Sequence, residues 1–322
     1  MRPWGPGLIT QRVDPPATEL LPFAAGHVTV GRVGSLDLVT GAFGNTGSAI
    51  AARLAADGHR VRTLTTHAPA DTRDIHQPSI EVFDWSALHA AMAGVDTFYN
   101  TFWMRTGNPG SGGTDYSQAV ARSTALVDAA AAAGVRRIVH LSVAHADHPA
   151  AAEYPYFAAK AHVEELIRAS GLEHTIVRPA LVFGGGRGMV EQLAMVLRRV
   201  PVMGIAGDGN YRVRPVHVDD VARLCVEHPG GTIDAVGPDR PTFEELVRAV
   251  AAALGKRHLF VHLPTALVVT AGRLLGKLAG EELITDGELR STMEGLADTD
   301  GDPTGHVSVL DWIAASLPQS PA

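Results

Sequence analysis

Seven residues, Gly41-Ala42-Phe43-Gly44-Asn45-Thr46-Gly47, restrict the fold of this chain more than any other stretch. They follow Ser35 to Thr40, a short apolar run that reads as a strand. They open Asn45 to Asp57, an Ala-rich segment that reads as a helix and is stopped by Gly58. In a strand–turn–helix setting the glycines allow a tight turn and let backbone approach a pyrophosphate closely. The helix N-terminus favours the negative charge placed there. Three glycines in an arbitrary loop would be only a structural turn; here the setting points to dinucleotide binding.

The rest of the first half repeats the alternation. His59 to Thr65, Ile80 to Phe83, Val95 to Tyr99, Arg136 to Leu141 and Glu173 to Arg178 read as strands. Ala87 to Ala93, Asp115 to Ala133 and Tyr156 to Ser170 read as helices. Strands separated by such helices imply right-handed βαβ units, hence an α/β fold with a doubly wound parallel sheet. After Pro179 the regularity weakens into mixed helices, turns and isolated strands. We therefore expect a poorly structured extension over 1–34, a dinucleotide-binding domain over 35–180, and a smaller C-terminal α/β substrate-binding cap over 181–322, some segments of which return to the sheet.

Composition excludes several roles. Lys plus Arg total 27 against 34 Asp plus Glu, a net charge of −7 without a basic block, so no electrostatic footprint for nucleic acid is expected. Cys225 is the only cysteine, which rules out an intrachain disulfide and a multi-cysteine metal site and fits a reducing, cytoplasmic setting. The first 34 residues carry Pro3, Pro6, Pro15, Pro16 and Pro22 among scattered charges, unlike a signal peptide. Leu263 to Ala279 is apolar, but Arg273 and Lys277 interrupt it; a buried or partly exposed helix is expected, not a membrane span.

The second strand should carry the cofactor discriminator. Folds that bind NAD often place a carboxylate there, on the ribose 2′-hydroxyl. Here the strand ends Leu64-Thr65-Thr66-His67, and the first acid is Asp71. No carboxylate is placed to repel a 2′-phosphate, while Thr66 and His67 can donate to one, with Arg62 or Arg73 near. The reading leans to NADP over NAD; the alternative is that these are ordinary strand-end polar residues.

Further motifs follow in order: Asp84-Trp85, Ser142, Tyr156-Phe-Ala-Ala-Lys160, Arg178-Pro179 and Val216-His-Val-Asp-Asp220. With the glycine turn, they resemble the extended and atypical short-chain dehydrogenase/reductases of Rossmann fold. The likeness is greatest to the branch holding NmrA-like proteins, nucleoside-diphosphate-sugar epimerases and the complex I accessory subunit. It covers about 35–320. The resemblance implies that Gly41, Gly44 and Gly47, with Phe43, Asn45 and Thr46 between them, hold the pyrophosphate. It implies that Asp84 accepts from the adenine amino group with Trp85 beside the ring, and that Asn100, Thr101 and Phe102 line the nicotinamide side. Pro179 to Val182 would pack near the carboxamide, Lys160 would bond the nicotinamide ribose, and Ser142 would orient the substrate carbonyl or hydroxyl. It also implies a homodimer paired through helices 115–133 and 156–170.

Tyr156 and Lys160 can be argued from spacing as well. Four residues apart on a helix, they share a face. An adjacent ammonium lowers a phenol's pKa from about 10, so the phenol can exchange the proton that accompanies hydride transfer. One departure from the family pattern stands out: extended members carry small residues after the fourth strand, whereas this chain has Tyr99-Asn-Thr-Phe-Trp103-Met-Arg105. Trp103 and Arg105 thus become substrate-side candidates, for an apolar or aromatic small molecule rather than a sugar nucleotide. Arg212 and Arg214 either clamp a substrate phosphate or carboxylate or face solvent. His140, His145 and His148, with Asp147, read as polar loop residues rather than a metal site. Asp220 reads as a helix cap and Cys225 as a small core residue.

Three functions follow. The first is an NAD(P)-dependent oxidoreductase with Tyr156 as acid/base. The second is an epimerase or dehydratase with transient cofactor redox, and the third a non-catalytic NAD(P)H-binding regulatory or assembly protein.

Overall fold

The computed structural model describes residues 34–65, 85–103, 116–279 and 286–317. They form two compact units between which the chain passes repeatedly. The first takes the residues up to Ser142 with Ala159–Val177 and Ala222–Ile233; the second takes Val143–Ala158, Arg178–Val221 and the residues from Asp234 onward.

The first unit is built on a sheet in which β1 (Leu36–Thr40), β2 (Arg60–Leu64), β3 (Thr97–Asn100), β4 (Arg137–Leu141) and β5 (Glu173–Pro179) run parallel. The spatial order is β2-β1-β3-β4-β5-β9, with β9 (Gly231–Ala235) at the edge. β1 is buried along its whole length, as a strand covered on both faces should be. Its run LDLVT carries one acid, Asp37, which His59 Nδ1 meets at 2.5 Å. Burial pushes the Asp37 carboxyl up, against the pull of His59. The strand proposed at Ile80 to Phe83 lies outside the described residues.

The helices of this unit are α1 (Asn45–Ala56), α2 (Trp85–Met92), α3 (Ser117–Ala132), α4 (Pro155–Ala169), which passes between the units, and α6 (Val218–Glu227), which does likewise. Three of them join Leu38, Phe98 and Ile138 in one core: Leu88 and Met92 from α2, Leu126 and Val127 from α3, Val163 and Ile167 from α4. Cys225 is buried, as a small core residue.

The second unit holds two small parallel sheets, β6 (Leu181–Phe183) with β8 (Pro215–His217) and β7 (Val202–Ala206) with β10 (Leu259–Leu263). Helices α5 (Met189–Arg199), α7 (Phe243–Ala253) and α10 (Val309–Ser316) bury Leu197, Leu246, Val250 and Ile313 in a separate core. α8 (Thr265–Ala279) occupies the apolar segment expected as a helix, and α9 is Asp286–Met293. Among the described residues, no helix is long and apolar enough to cross a membrane. Asp220 lies in the first turn of α6, yet its carboxylate accepts from His306 N at 2.9 Å and Val307 N at 3.1 Å. It pins the segment before α10, a wider structural task than capping its own helix.

Candidate cofactor and active site

The order β2-β1-β3 makes the carboxyl ends of β1 and β3 a topological switch point, where open α/β sheets bind ligands. Local chemistry shapes that place. Gly41 has φ +65°, and its amide donates to Leu64 O at 2.7 Å. Gly44 N returns to Gly41 O at 2.7 Å and caps α1 without any side-chain bond. A Cβ at Gly47 would stand 2.2 Å from Gly41 O, so the helix meets the turn at a distance only glycine permits. The first turn of α1 holds no acid, and Asn45 Oδ1 is buried without a hydrogen-bond partner among the described residues. A glycine cradle, a bare helix N-terminus and an orphaned polar atom fit a pyrophosphate.

Thr40 ties the two strand ends together. Its hydroxyl donates to Tyr99 O at 3.3 Å and accepts from Thr101 N at 2.9 Å and Phe102 N at 3.0 Å. Thr101 Oγ1 returns to Thr40 O at 2.5 Å. Asn100 is fully buried at the end of β3; Oδ1 accepts from Phe102 N, while Nδ2 has no hydrogen-bond partner among the described residues. The Phe102 side chain lies in the core with Leu38 and Ile138, so it packs the sheet rather than lining a cofactor face. Trp85, at the start of α2, is half exposed. Thr66, His67, Arg73, Asp84 and Arg105 lie outside the described residues. Arg62 is buried and gives NH1 to Ala91 O and Ala93 O, so it is engaged at the end of α2 and not free for a 2′-phosphate.

The residues expected to carry acid–base chemistry lie on α4 and just after β4. Ser142 follows β4 directly; its amide donates to Val177 O at 2.8 Å, and its buried hydroxyl has no hydrogen-bond partner among the described residues. Lys160 lies on the buried stripe of α4 with Val163, Glu164 and Ile167. Only 3% of it is exposed. Its ammonium donates to Leu141 O at 2.8 Å and sits 4.1 Å from the centre of the Trp103 ring, which stacks on Tyr116 at 5.8 Å. Burial pulls its pKa down to about 7, against the opposing pull of Glu164. Glu164 is itself fully buried and pairs with Arg168 at 2.8 Å. His140, one strand residue before Leu141, is fully buried; desolvation and the Lys160 charge hold it well below its ordinary pKa, hence neutral. It is thus a β4 residue, not the polar loop residue expected. Tyr156 stands one turn before Lys160 on α4, half-buried, with its ring edge-on to Phe157 at 5.3 Å.

Sequence reasoning singled out Lys160 and Tyr156 but missed the buried neutral His140 and the buried Glu164 that set the electrostatics of Lys160. The available signal was a Lys and a Glu at i, i+4 inside an apolar helical stripe.

In the second unit, Pro179 ends β5, its carbonyl accepting from Ala144 N at 2.9 Å, and Val182 is half-buried in β6 opposite Val216. The arginine clamp is corrected. Arg214 is buried and donates to the carbonyls of Gly237 at 3.0 Å, Thr299 at 2.8 Å and Gly301, bracing loops rather than awaiting an anion. Arg212 is exposed and donates to Arg240 O at 2.7 Å. His145 meets Asp298 O, His148 caps the 149–153 turn by accepting from Ala150 N, and Asp147 pairs with Arg178 at 2.9 Å. Among the described residues no group of three or more His, Cys, Asp or Glu could hold a metal ion.

Comparison with known proteins agrees with this geometry. A family model described as NAD(P)H-binding matches residues 41–228. An uncharacterized protein of Mycobacterium tuberculosis is 30% identical over 240 residues, which is 72% of this chain and 25% of that protein. The chain thus spans about a quarter of that relative's length. The ceramide reductase of Caulobacter vibrioides is 29% identical over 305 residues, covering 86% of this chain and 94% of the relative. The NADH-ubiquinone oxidoreductase 40 kDa subunit of Neurospora crassa is 29% identical over 158 residues, 47% of this chain and 40% of that one. A solved short-chain dehydrogenase/reductase superfamily protein of Agrobacterium tumefaciens with bound NAD shares the fold, with TM-score 0.63, 21% identity, 88% of this chain and 95% of that one covered. The glycine cradle, the parallel sheet and these likenesses together place the chain in the NAD(P)H-binding family.

Proposed function

We propose that the protein is an NAD(P)-dependent reductase or dehydrogenase acting on a carbonyl or alcohol of a small molecule with an apolar or aromatic body. The observation that carries this reading is Lys160, a buried ammonium held near pKa 7 one helical turn after Tyr156. When bound, the nicotinamide supplies or accepts the hydride. The backbone of Gly41 to Gly47 would hold the pyrophosphate, Asp84 and Trp85 the adenine, and Asn100 and Thr101 the nicotinamide side. The run Thr65-Thr66-His67, with no acid in the sequence before Asp71, favours NADP over NAD.

Tyr156 gives or takes the proton at its phenol oxygen. Lys160 biases that phenol toward ionisation while charged, and a group titrating near neutrality passes a proton readily in either direction. Ser142, with an uncommitted hydroxyl, donates to the substrate oxygen. The stacked Trp103 and Tyr116 support an apolar substrate, as does the Caulobacter relative, a ceramide reductase.

The test is net NADPH oxidation with a panel of aliphatic and aromatic ketones, repeated with Tyr156→Phe. Proton transfer by a placed side chain contributes about 10²–10⁴-fold; the variant should lose that much rate and keep cofactor binding. Wild-type turnover by Tyr156→Phe removes Tyr156 from the chemistry. Cofactor retained through purification without net consumption would instead fit an epimerase or dehydratase. Binding without turnover would fit a regulatory or assembly protein.

A further inference from the structure

We infer that the β7–β10 end of the second unit is a docking surface for an anionic lipid bilayer. Val202 and Leu259 begin these two strands and face each other in register. They are 48% and 62% exposed, among the most exposed large apolar side chains described. Arg198 and Arg199, at the end of α5, and Lys256 and Arg257, in the loop before β10, are exposed beside them in the chain. Three hydrogen bonds knit the two segments into one place: Lys256 Nζ to Arg198 O at 3.2 Å, His258 Nε2 to Leu197 O at 2.7 Å, and Leu259 N to Pro201 O at 3.0 Å.

Residues 192–207 and 246–280 contain no Asp or Glu, in a chain whose net charge is −7. Glu244 does reach this module, bonding His262 further along β10 and Arg248. The charge is thus segregated: a cationic edge on an otherwise acidic protein presents one face to an anionic plane and turns the others away.

The apolar pair decides which anionic partner fits. Phosphate groups of a nucleic acid offer Val202 and Leu259 nothing, whereas the headgroup boundary of a bilayer accepts aliphatic side chains flanked by long cationic ones. The attachment is peripheral and independent of the catalytic reading.

The test uses the full chain with phosphatidylcholine vesicles, with and without about a third phosphatidylglycerol, in flotation at low and high salt. Wild type should float only with the anionic vesicles, and salt should release it. Each cation close to an anionic surface strengthens attachment about fivefold, so Gln at all four positions should weaken it at least about a hundredfold. Val202→Ser with Leu259→Ser leaves the charge unchanged and should weaken it about tenfold or more. NADPH titration and thermal melting of both variants should match wild type. Absence of wild-type flotation at low salt overturns the inference. So does flotation retained by either variant, or equally tight binding of wild type and the double serine variant to duplex DNA, the behaviour of a general polyanion site.

Discussion

Replacing Lys160 by Met should stabilise the protein in acid and do so less and less as pH rises. The ammonium is buried, and its pKa falls from 10.5 to about 7. That difference corresponds to ~5 kcal/mol of disfavoured charge relative to a solvated lysine. The bond to Leu141 O and the Trp103 ring offset part of the cost within the folded state. Because the folded value lies below the unfolded one, the unfolded chain binds a proton that the folded chain lacks between about pH 7 and 10.5. Lys160 therefore costs most stability below pH 7, and the cost is relieved as pH climbs through that window. Met keeps the length and removes the charge; at pH 6 the variant should gain up to about 4 kcal/mol, the cost of the displaced pKa less the hydrogen bond to Leu141 O that is lost. Near pH 10 the gain should vanish. Urea unfolding of both proteins at pH 6, 8 and 10 measures the difference, in which titrating groups not coupled to Lys160 cancel, while His140 and Glu164 do not. A difference that is flat across the range, or a Met variant less stable at pH 6, would refute the argument. If Lys160 bonds the nicotinamide ribose as proposed, the same substitution should weaken NADPH binding.

Three other outcomes are expected. Gly47→Ala drives a methyl into Gly41 O and should cost about 1–3 kcal/mol and abolish saturable NADPH binding by fluorescence titration. Asp220→Asn exchanges a charged acceptor for a neutral one at His306 N and Val307 N; thermal melting should show a loss of about 1–3 kcal/mol. Sedimentation at micromolar concentration should give a homodimer, paired through α3 and α4; a species near 34 kDa would exclude it.

Much of the parallel sheet was legible because its signals are local. Leu36–Thr40, Arg137–Leu141 and Glu173–Pro179 are short apolar runs, and Gly58, Gly134 and Gly171 turn the chain between helix and strand with positive φ. The Tyr156–Lys160 spacing was legible for the same reason. What escaped depends on distant residues. Nothing near Arg214 announces that Gly237, Thr299 and Gly301 take its guanidinium. The pairing of β7 with β10 joins segments more than fifty residues apart, each ambiguous alone. His140 looked like loop polarity because its burial comes from neighbouring strands, not from its own sequence.

The repeated passage of the chain between its two units bears on how it is made. Ala222–Ile233 completes the first unit and carries most of α6 and the start of β9. On a ribosome, that unit waits with an open flank at β5 until much of the second has been synthesised. A gene cut after residue 180, where the βαβ pattern fades, would release a sheet whose last strand has lost its neighbour, an unpaired edge prone to self-association. The cofactor-binding half is therefore poor material for excision or domain fusion. Inserting a passenger into an exposed turn, such as the one at Gly255, respects the order in which the parts arrive.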